Sequence, residues 1–143
     1  MKQLLTALAL VAATTGALAQ ATPVGLWKTI DDETKVEKSF VRISEAGGVL
    51  SGKVEKIIDP TKQNEVCDEC KDDRKGQRIQ GMTIIRNAKA DAKAEHWEGG
   101  EILDPANGKV YKLRLKPEDG GKTLEVRGYI GPFFRNQQWQ RVE

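Results

Sequence analysis

The sequence predicts an all-β fold, an eight-stranded antiparallel up-and-down barrel. Short apolar and β-branched segments recur along the chain, and turn residues separate them. Alternation is clearest late in the chain, where Tyr111, Leu113 and Leu115 share one face and Val110, Lys112 and Arg114 the other. A sheet of sequential hairpins buries its apolar face and protects its edges either by closing or by splitting into two layers, and hairpin connectivity favours closure.

The predicted strands follow one another in chain order. They cover residues 26–30, 36–44, 49–58, 82–86, 97–103, 109–115, 123–130 and 137–142. Turn residues lie at Ala46-Gly47-Gly48, at Asn107-Gly108 and at positions 118–121, and such residues accept the positive φ angles of tight hairpins. Residues 88–95 have a helix-forming composition but are too few for a stable helix, so we expect a loop with at most one helical turn.

Residues 1–19 are predicted to be a removable secretory signal. Lys2 precedes an apolar stretch, and Ala17-Leu18-Ala19 has the small-x-small pattern of a cleavage site. Polar residues interrupt the stretch, which is shorter than the roughly 20 apolar residues of a membrane span. We therefore expect residues 20–143 to form a single β-barrel domain that is periplasmic or secreted and is not an integral membrane protein.

The charge of the chain argues against a nucleic-acid partner. The full sequence has 23 Lys and Arg against 21 Asp and Glu, and loss of Lys2 with the signal leaves 22 against 21. Both signs are interspersed along the chain, whereas nucleic-acid-binding domains carry a basic patch or stripe. We expect no nucleic-acid partner.

Cys67 and Cys70 are predicted to form a disulfide, because exported proteins fold in oxidising compartments. Closing so short a loop stabilises a fold by about 2 kcal/mol. Thiol-disulfide exchange is the alternative, but nearby carboxylates disfavour a reactive thiolate. These acidic neighbours, expected to form a solvated loop, are Asp68, Glu69, Asp72 and Asp73.

No metal, cofactor or catalytic site is predicted. A zinc site would need two ligands beyond the cysteines, and the only histidine, His96, is expected to be a half-exposed strand residue beside Trp97. The acidic residues near the cysteines lack the spacing of a calcium-binding EF-hand. Glu101 and Asp104 could in principle form an acid-base pair, but Asp104 precedes Pro105 and is expected to shape a turn. We therefore expect a non-enzymatic protein without a cofactor.

Motifs spread over the predicted domain resemble two known groups. Gly25-Leu26-Trp27 with Arg141 resembles the lipocalin or calycin signature, and a larger set resembles the exported bacterial family called domain of unknown function 2147. Its matching segments are Gly25-Leu26-Trp27, Gly52-Lys53-Val54, Cys67-x-x-Cys70, Gly99-Gly100-x-Ile102-x-Asp104-Pro105-x-Asn107-Gly108-Lys109-x-Tyr111, Val126-Arg127-Gly128-Tyr129-x-Gly131 and Trp139-x-Arg141. The resemblance implies a lipocalin-like barrel in which Trp27 and Arg141 pack together at one end. Residues 133–137 depart from the family pattern, so it implies no shape for this last loop.

The leading functional hypothesis is a carrier or sensor that binds a small apolar or amphipathic molecule inside the barrel. Eight-stranded barrels hold one small ligand or are filled by side chains. Gly52, Gly99 and Gly128 lie within strands, where a missing side chain would leave room. The alternative is an envelope interaction or structural protein with a packed barrel and loops that contact another protein. Candidate ligand or partner contacts are Trp97, Tyr111, Tyr129, Phe133, Phe134, Arg135 and Trp139.

The pair Phe133-Phe134 has two alternative roles. We expect the two rings to be buried as a plug at one end of the barrel, because adjacent phenylalanines are unusual in a wet loop. Exposure, together with Arg135, would instead indicate a partner-binding patch. Arg127 and Tyr129 are expected on the outer surface in either case.

Overall fold

The computed structural model describes residues 21–143, which form a closed barrel of eight antiparallel strands. The strands are β1 (Gly25–Ile30), β2 (Glu37–Ala46), β3 (Val49–Ile57), β4 (Thr83–Ala90), β5 (Trp97–Asp104), β6 (Lys109–Glu118), β7 (Thr123–Ile130) and β8 (Phe133–Arg141). Each strand pairs with the next, and β8 pairs with β1, so the predicted barrel is confirmed. The predicted signal, residues 1–19, lies outside the described residues. In the described part, no helix has the length and apolar character needed to cross a membrane.

Two predicted strand boundaries are wrong. Residues 88–90 belong to β4 and not to a loop, because Ala88 is fully buried inside the barrel opposite Leu50. Asn87, at a φ of 62°, lies in the irregular part of this ladder and shifts the alternation so that Ala88 points inward. β8 begins at Phe133, four residues earlier than predicted, and pairs along its length with β7.

One half of the barrel interior is packed solid, and we call it the closed end. Trp27 and Trp139 are almost completely buried there. Burying one such large side chain contributes about 1.5–3 kcal/mol or more. Other inward-facing residues fill the rest of the closed end and the middle of the barrel. They are Val41, Ile43, Leu50, Val54, Ile85, Ala88, Trp97, Leu113, Leu115, Leu124 and Val126.

Arg141 covers the closed end. Its guanidinium lies 4.2 Å from the centre of the Trp27 ring, within the range of a cation–π contact. It also donates to the carbonyl oxygens of Gly121, Val24 and Thr22 at 2.6–2.8 Å. Arg141 therefore joins the segment before β1 to the turn before β7, and it covers the buried Trp27 ring.

The connection between β3 and β4, residues 58–82, covers part of the outer wall of the barrel. Cys67 and Cys70 form a disulfide within it, and both are fully buried. By strand alternation Leu103 faces outward, yet it is 1 % exposed because this connection covers it. Gly108 lies directly against the backbone of Glu69, which fixes the connection to the β5–β6 turn.

The four acidic residues near the cysteines are exposed, as predicted: Asp68, Glu69, Asp72 and Asp73. Arg74 beside them, in contrast, is only 2 % exposed. Its guanidinium donates to Asp72 and to the carbonyl oxygen of Thr83. The hydrogen bonds from Arg74 lower the pKa of Asp72 to about 2, so this carboxylate stays charged and holds the buried guanidinium in place.

Candidate functional site

The interior of the barrel becomes polar and accessible to water at the end opposite Trp27. The inward-facing side chains of β1, β2, β6 and β8 at this end are polar, and we call this group the cup: Thr29, Ser39, Tyr111, Arg135 and Gln137. Ser39, Tyr111 and Gln137 are half-buried, and the side chain of Arg135 is 47 % exposed. Inward-facing groups of the closed end are shielded from solvent, whereas most of those in the cup are not.

Asp32, in the β1–β2 loop, closes one side of the cup. Its carboxylate accepts hydrogen bonds from Arg135 at 2.6 and 3.2 Å and from Gln137 at 3.4 Å. The preceding residue fixes the loop, because the Asp31 carboxylate accepts from the backbone N–H groups of Glu33 and Thr34. The Asp32–Arg135 pair, which we call the latch, therefore projects from a locally ordered turn.

The latch bridges a gap in the sheet. β1 and β8 pair only at Trp27–Arg141 and Lys28–Gln140, near the closed end. β7 and β8, in contrast, pair from Thr123–Gln140 to Ile130–Phe133. Toward the open end the β1 edge is thus joined to β8 by the side chains of the latch and not by backbone hydrogen bonds.

The floor of the cup is a set of paired polar groups. Trp139 donates its indole N–H to the side-chain oxygen of Gln137 at 2.9 Å. The hydroxyls of Thr29 and Ser39 are 2.8 Å apart, and the Tyr111 hydroxyl accepts from the Asn107 amide at 3.2 Å. Gln137 therefore connects the latch directly to a tryptophan of the packed interior.

The latch should make stability depend on pH in the acid range. Burial opposes ionisation of Asp32, but hydrogen bonds from Arg135 and Gln137 outweigh it and hold its pKa below the ordinary value of 3.8. A carboxyl with a depressed folded-state pKa stabilises the fold above its unfolded pKa, and this stability is lost as pH falls through the folded value. Asp32→Asn should therefore lower the free energy of unfolding at neutral pH by about 0.5–1 kcal/mol, since Arg135 is well exposed.

Denaturant unfolding of the wild type and of D32N across the acid range measures this effect. The stability difference should be constant above pH 4 and shrink below it, because protonation removes the same charge that the substitution removes. Asp68→Asn is a matched control, since Asp68 is exposed and its side chain forms no hydrogen bond or ion pair within residues 21–143. A D32N difference that persists undiminished in acid would contradict the latch.

The structure separates the predicted contact residues into three groups. Tyr111 and Arg135 line the cup, whereas Trp97 and Trp139 belong to the packed interior, 7 % and 2 % exposed. Tyr129, Phe133 and Phe134 lie on the wall and margin of the open end and do not enter the cup.

Phe133 and Phe134 are not a plug, and that prediction is wrong. The side chains are 77 % and 54 % exposed. The reason is that β8 begins at Phe133 and follows a two-residue turn, Gly131-Pro132, that projects beyond the barrel. Alternation then directs Phe134 to the outer wall, opposite Tyr129.

The space beside the interior glycines, which was expected to be free for a ligand, is filled by neighbouring side chains at Gly52 and Gly128. A Cβ atom at Gly52 would lie 2.9 Å from Ile85, and one at Gly128 would lie 3.1 Å from Tyr111. Gly99 has a φ of 77° at an irregularity of the β5–β6 ladder, where the backbone and not a ligand requires glycine. The glycines therefore admit Ile85 and Tyr111 into the interior.

Two surface cavities, of about 330 and 360 Å³, both lie on the outer wall of the barrel. The first is bordered by Asn87, Gly99, Gly100, Glu101, Val110, Tyr111 and Lys112, and the second by Leu26, Phe40, Glu55, Lys56, Gln63 and Gln80. Neither reaches the closed end of the interior. A ligand enclosed deep in the barrel, as the leading hypothesis has it, would have to displace packed side chains.

His96 belongs to a turn. It is half-buried directly before β5, and its ring nitrogen lies 3.2 Å from Asp91, whose carboxylate also accepts from the backbone of Glu95. Within residues 21–143, no three His, Cys, Asp or Glu side chains are grouped so that they could hold a metal ion.

Sequence reasoning missed Asp32 and Gln137. Asp32 is separated from Arg135 by 103 positions, so no local pattern connects them. The sequence did contain a signal for Gln137. Arg135, Gln137 and Trp139 are alternate residues of one strand, so if Trp139 is in the core, all three face inward.

Comparison with known proteins gives two findings. A family model described as "Uncharacterized protein conserved in bacteria (DUF2147)" matches residues 25–141. A solved structure described as "Protein HP1028 from the human pathogen Helicobacter pylori belongs to the lipocalin family" has a TM-score of 0.74 and 18 % identity, over 87 % of this chain and 85 % of that chain. At this identity the likeness shows the fold, a lipocalin-like barrel. Among curated proteins, none matches the chain.

Proposed function

Because the chain belongs to the DUF2147 family and has a lipocalin-like barrel, we propose that it is an exported, non-enzymatic protein that binds a small amphipathic acid in the cup. The observation that carries the proposal is the division of the interior. Inward-facing groups are packed at the closed end, whereas those of the cup are polar and, apart from the buried Thr29, are half-buried or exposed. Export rests on the predicted signal at residues 1–19.

Arg135 selects an acid as the ligand. Its planar guanidinium binds a carboxylate through two parallel hydrogen bonds, and Asp32 occupies that position. A ligand carboxylate of the same geometry would replace Asp32, with Gln137 as a further donor. Asp32 is thus an internal stand-in for the acidic group of the ligand.

The apolar part of the ligand has a matching surface. Ile57, Ile102 and Ile130 lie on the inward face of their strands toward the open end. Ile57 is 9 % exposed, Ile102 is half-buried, and Ile130 is 46 % exposed, so apolar surface extends from the cup toward solvent. A short alkyl chain would cover this surface and gain about 25 cal/mol for each Å² removed from water.

Displacement of Asp32 also opens the gap between β1 and β8. The latch is the link that joins these edges toward the open end, so its release would widen the entrance as the ligand enters. This arrangement lowers the affinity for the ligand, because the ligand must compete with Asp32 for the guanidinium of Arg135.

Calorimetric titration with decanoate and with its neutral counterpart decanol tests the proposal. The wild type should bind decanoate at least about tenfold more tightly than decanol, because a charge-assisted hydrogen bond contributes roughly 1.5–3 kcal/mol. Arg135→Gln should abolish this preference, and Asp32→Asn should raise decanoate affinity several-fold although it destabilises the fold. Arg127→Gln, an outward-facing arginine on β7, is the matched control and should leave the preference unchanged.

Equal binding of the acid and the alcohol, or a preference that survives R135Q, would exclude the cup as an acid-binding site. If D32N bound decanoate more weakly than the wild type, Asp32 would not compete with the ligand for Arg135.

A further inference from the structure

The β7–β8 hairpin ends in an apolar projection, which we call the tip, residues 130–134. Ile130, Phe133 and Phe134 are 46 %, 77 % and 54 % exposed. The turn is free of neighbours, because a Cβ atom at Gly131 would have no heavy atom within 4 Å. Exposed aromatic side chains on both faces of a hairpin end are unusual on a soluble domain and indicate a binding surface.

Cationic and amphipathic side chains flank the tip on the outer wall. The guanidinium of Arg127 lies 4.4 Å from the centre of the Phe134 ring and 5.9 Å from that of Tyr129. Lys112 is exposed and pairs in register with Tyr129. The aromatic surface thus passes directly into a cationic one.

On the outward faces of β6, β7 and β8 four basic residues stand against two acidic ones: Lys112, Arg114, Lys116 and Arg127 against Glu118 and Glu125. Glu125 lies 2.9 Å from Arg114 and 3.6 Å from Arg127, so one carboxylate is shared by two guanidiniums. Lys112 faces Glu101 of β5 in the ladder, on the side away from the tip. Arg135 lies 2.6 Å from Asp32 and 3.8 Å from Glu33 and belongs to the cup, so the cationic group in contact with the tip is Arg127.

We propose that the tip docks the protein on an anionic lipid bilayer, with Phe133 and Phe134 in the interfacial region and Arg127 and Lys112 on lipid phosphates. Aromatic side chains beside basic ones suit the membrane interface, where apolar and charged layers adjoin. The projecting shape favours a bilayer, which deforms around a convex hairpin, whereas a protein partner would need a matching pocket. This inference goes beyond ligand binding in the cup and does not depend on it.

Flotation of the full chain with lipid vesicles tests the docking surface. We expect binding to vesicles of phosphatidylglycerol and phosphatidylcholine in equal parts, and weaker binding to phosphatidylcholine alone. The double variant Phe133→Ser/Phe134→Ser should lower the partition coefficient at least about tenfold. Val24→Ser/Val142→Ser is the matched control, because these valines are 36 % and 50 % exposed at the opposite end of the barrel. All variants share residues 1–20, so their differences report on the barrel.

A local probe shows whether the tip itself meets lipid. Tryptophan emission of Phe133→Trp should shift to the blue with phosphatidylglycerol vesicles, since the native Trp27, Trp97 and Trp139 are already buried. Arg127→Gln should weaken binding to the anionic vesicles and leave binding to phosphatidylcholine unchanged. Equal partition of the wild type and the double phenylalanine variant, or unshifted emission of F133W, would overturn the proposal. Cross-linking of the tip to a protein without vesicle binding would also overturn it. R135Q should still dock, which separates failure of the cup from failure of the tip.

Discussion

Replacing Trp27 by alanine is expected to lower the free energy of unfolding by about 3–5 kcal/mol. Trp27 is 0 % exposed, and its indole N–H donates to the carbonyl oxygen of Pro23 at 2.7 Å. Alanine would leave a cavity at the closed end, an unpaired buried carbonyl at Pro23 and an Arg141 guanidinium without its ring. All three losses act in the same direction, so the effect should exceed that of an ordinary core truncation.

Urea unfolding of W27A and of the milder variant Trp27→Phe measures this contribution. Phenylalanine keeps most of the apolar volume and a ring for Arg141 but cannot donate to Pro23, so W27F should retain at least half of the lost stability. If W27A costs less than 1 kcal/mol, the closed end is not packed as described.

Replacing Gly108 by alanine should be almost as damaging, with an expected loss of about 3 kcal/mol. Gly108 has a φ of 70°, and a Cβ atom there would overlap the backbone carbonyl of Glu69 and crowd the N–H of Cys70. Relief of this overlap requires the connection that holds the disulfide to move away from the β5–β6 turn. We therefore expect exposure of Leu103 and of the buried cysteine pair.

Gly47→Ala is the matched control for this prediction. Gly47 has a similar φ of 59° in the β2–β3 turn, but no atom lies within 4 Å of its missing Cβ. Its loss should reflect backbone strain alone, about 1 kcal/mol. Thermal unfolding of both variants compares them, and equal losses would show that close approach to Glu69 is unimportant.

The order of the strands was predictable because it depends on local patterns. β6 and β7 show strict alternation, and their turn residues mark the hairpins, so a chain of neighbouring antiparallel strands follows from short-range rules. The end of β4 was not predicted, because residues 88–95 have a helix-forming composition. The irregularity at Asn87, which turns Ala88 inward, has no signal in the residues before it.

The candidate site was less predictable, because contacts between distant segments create it. Tyr111 and Arg135 were identified as candidate contacts, but Arg135 acquires its role from Asp32, which closure of the barrel brings beside it. Arg74 likewise looks like one charge in a polar stretch and becomes buried only when the connection folds over the wall. Exposure of the tip follows from an early start of β8, which the polar and aromatic composition of residues 133–136 concealed.

The central claim is that an acidic ligand occupies the cup and leaves the closed end unchanged. Its most direct test is a decanoate titration that follows the tryptophan indole signals in proton–nitrogen correlation spectra. The chain has three tryptophans, and two of them, Trp27 and Trp139, have indole N–H groups with different partners in the interior. The indole N–H of Trp139 donates to Gln137 in the cup, whereas that of Trp27 donates to Pro23 at the closed end. Decanoate should shift the Trp139 signal in the wild type but not in R135Q, and the Trp27 signal should stay in place. A shift of Trp27 with an unchanged Trp139 would contradict the claim, because the ligand would then enter the packed half of the barrel.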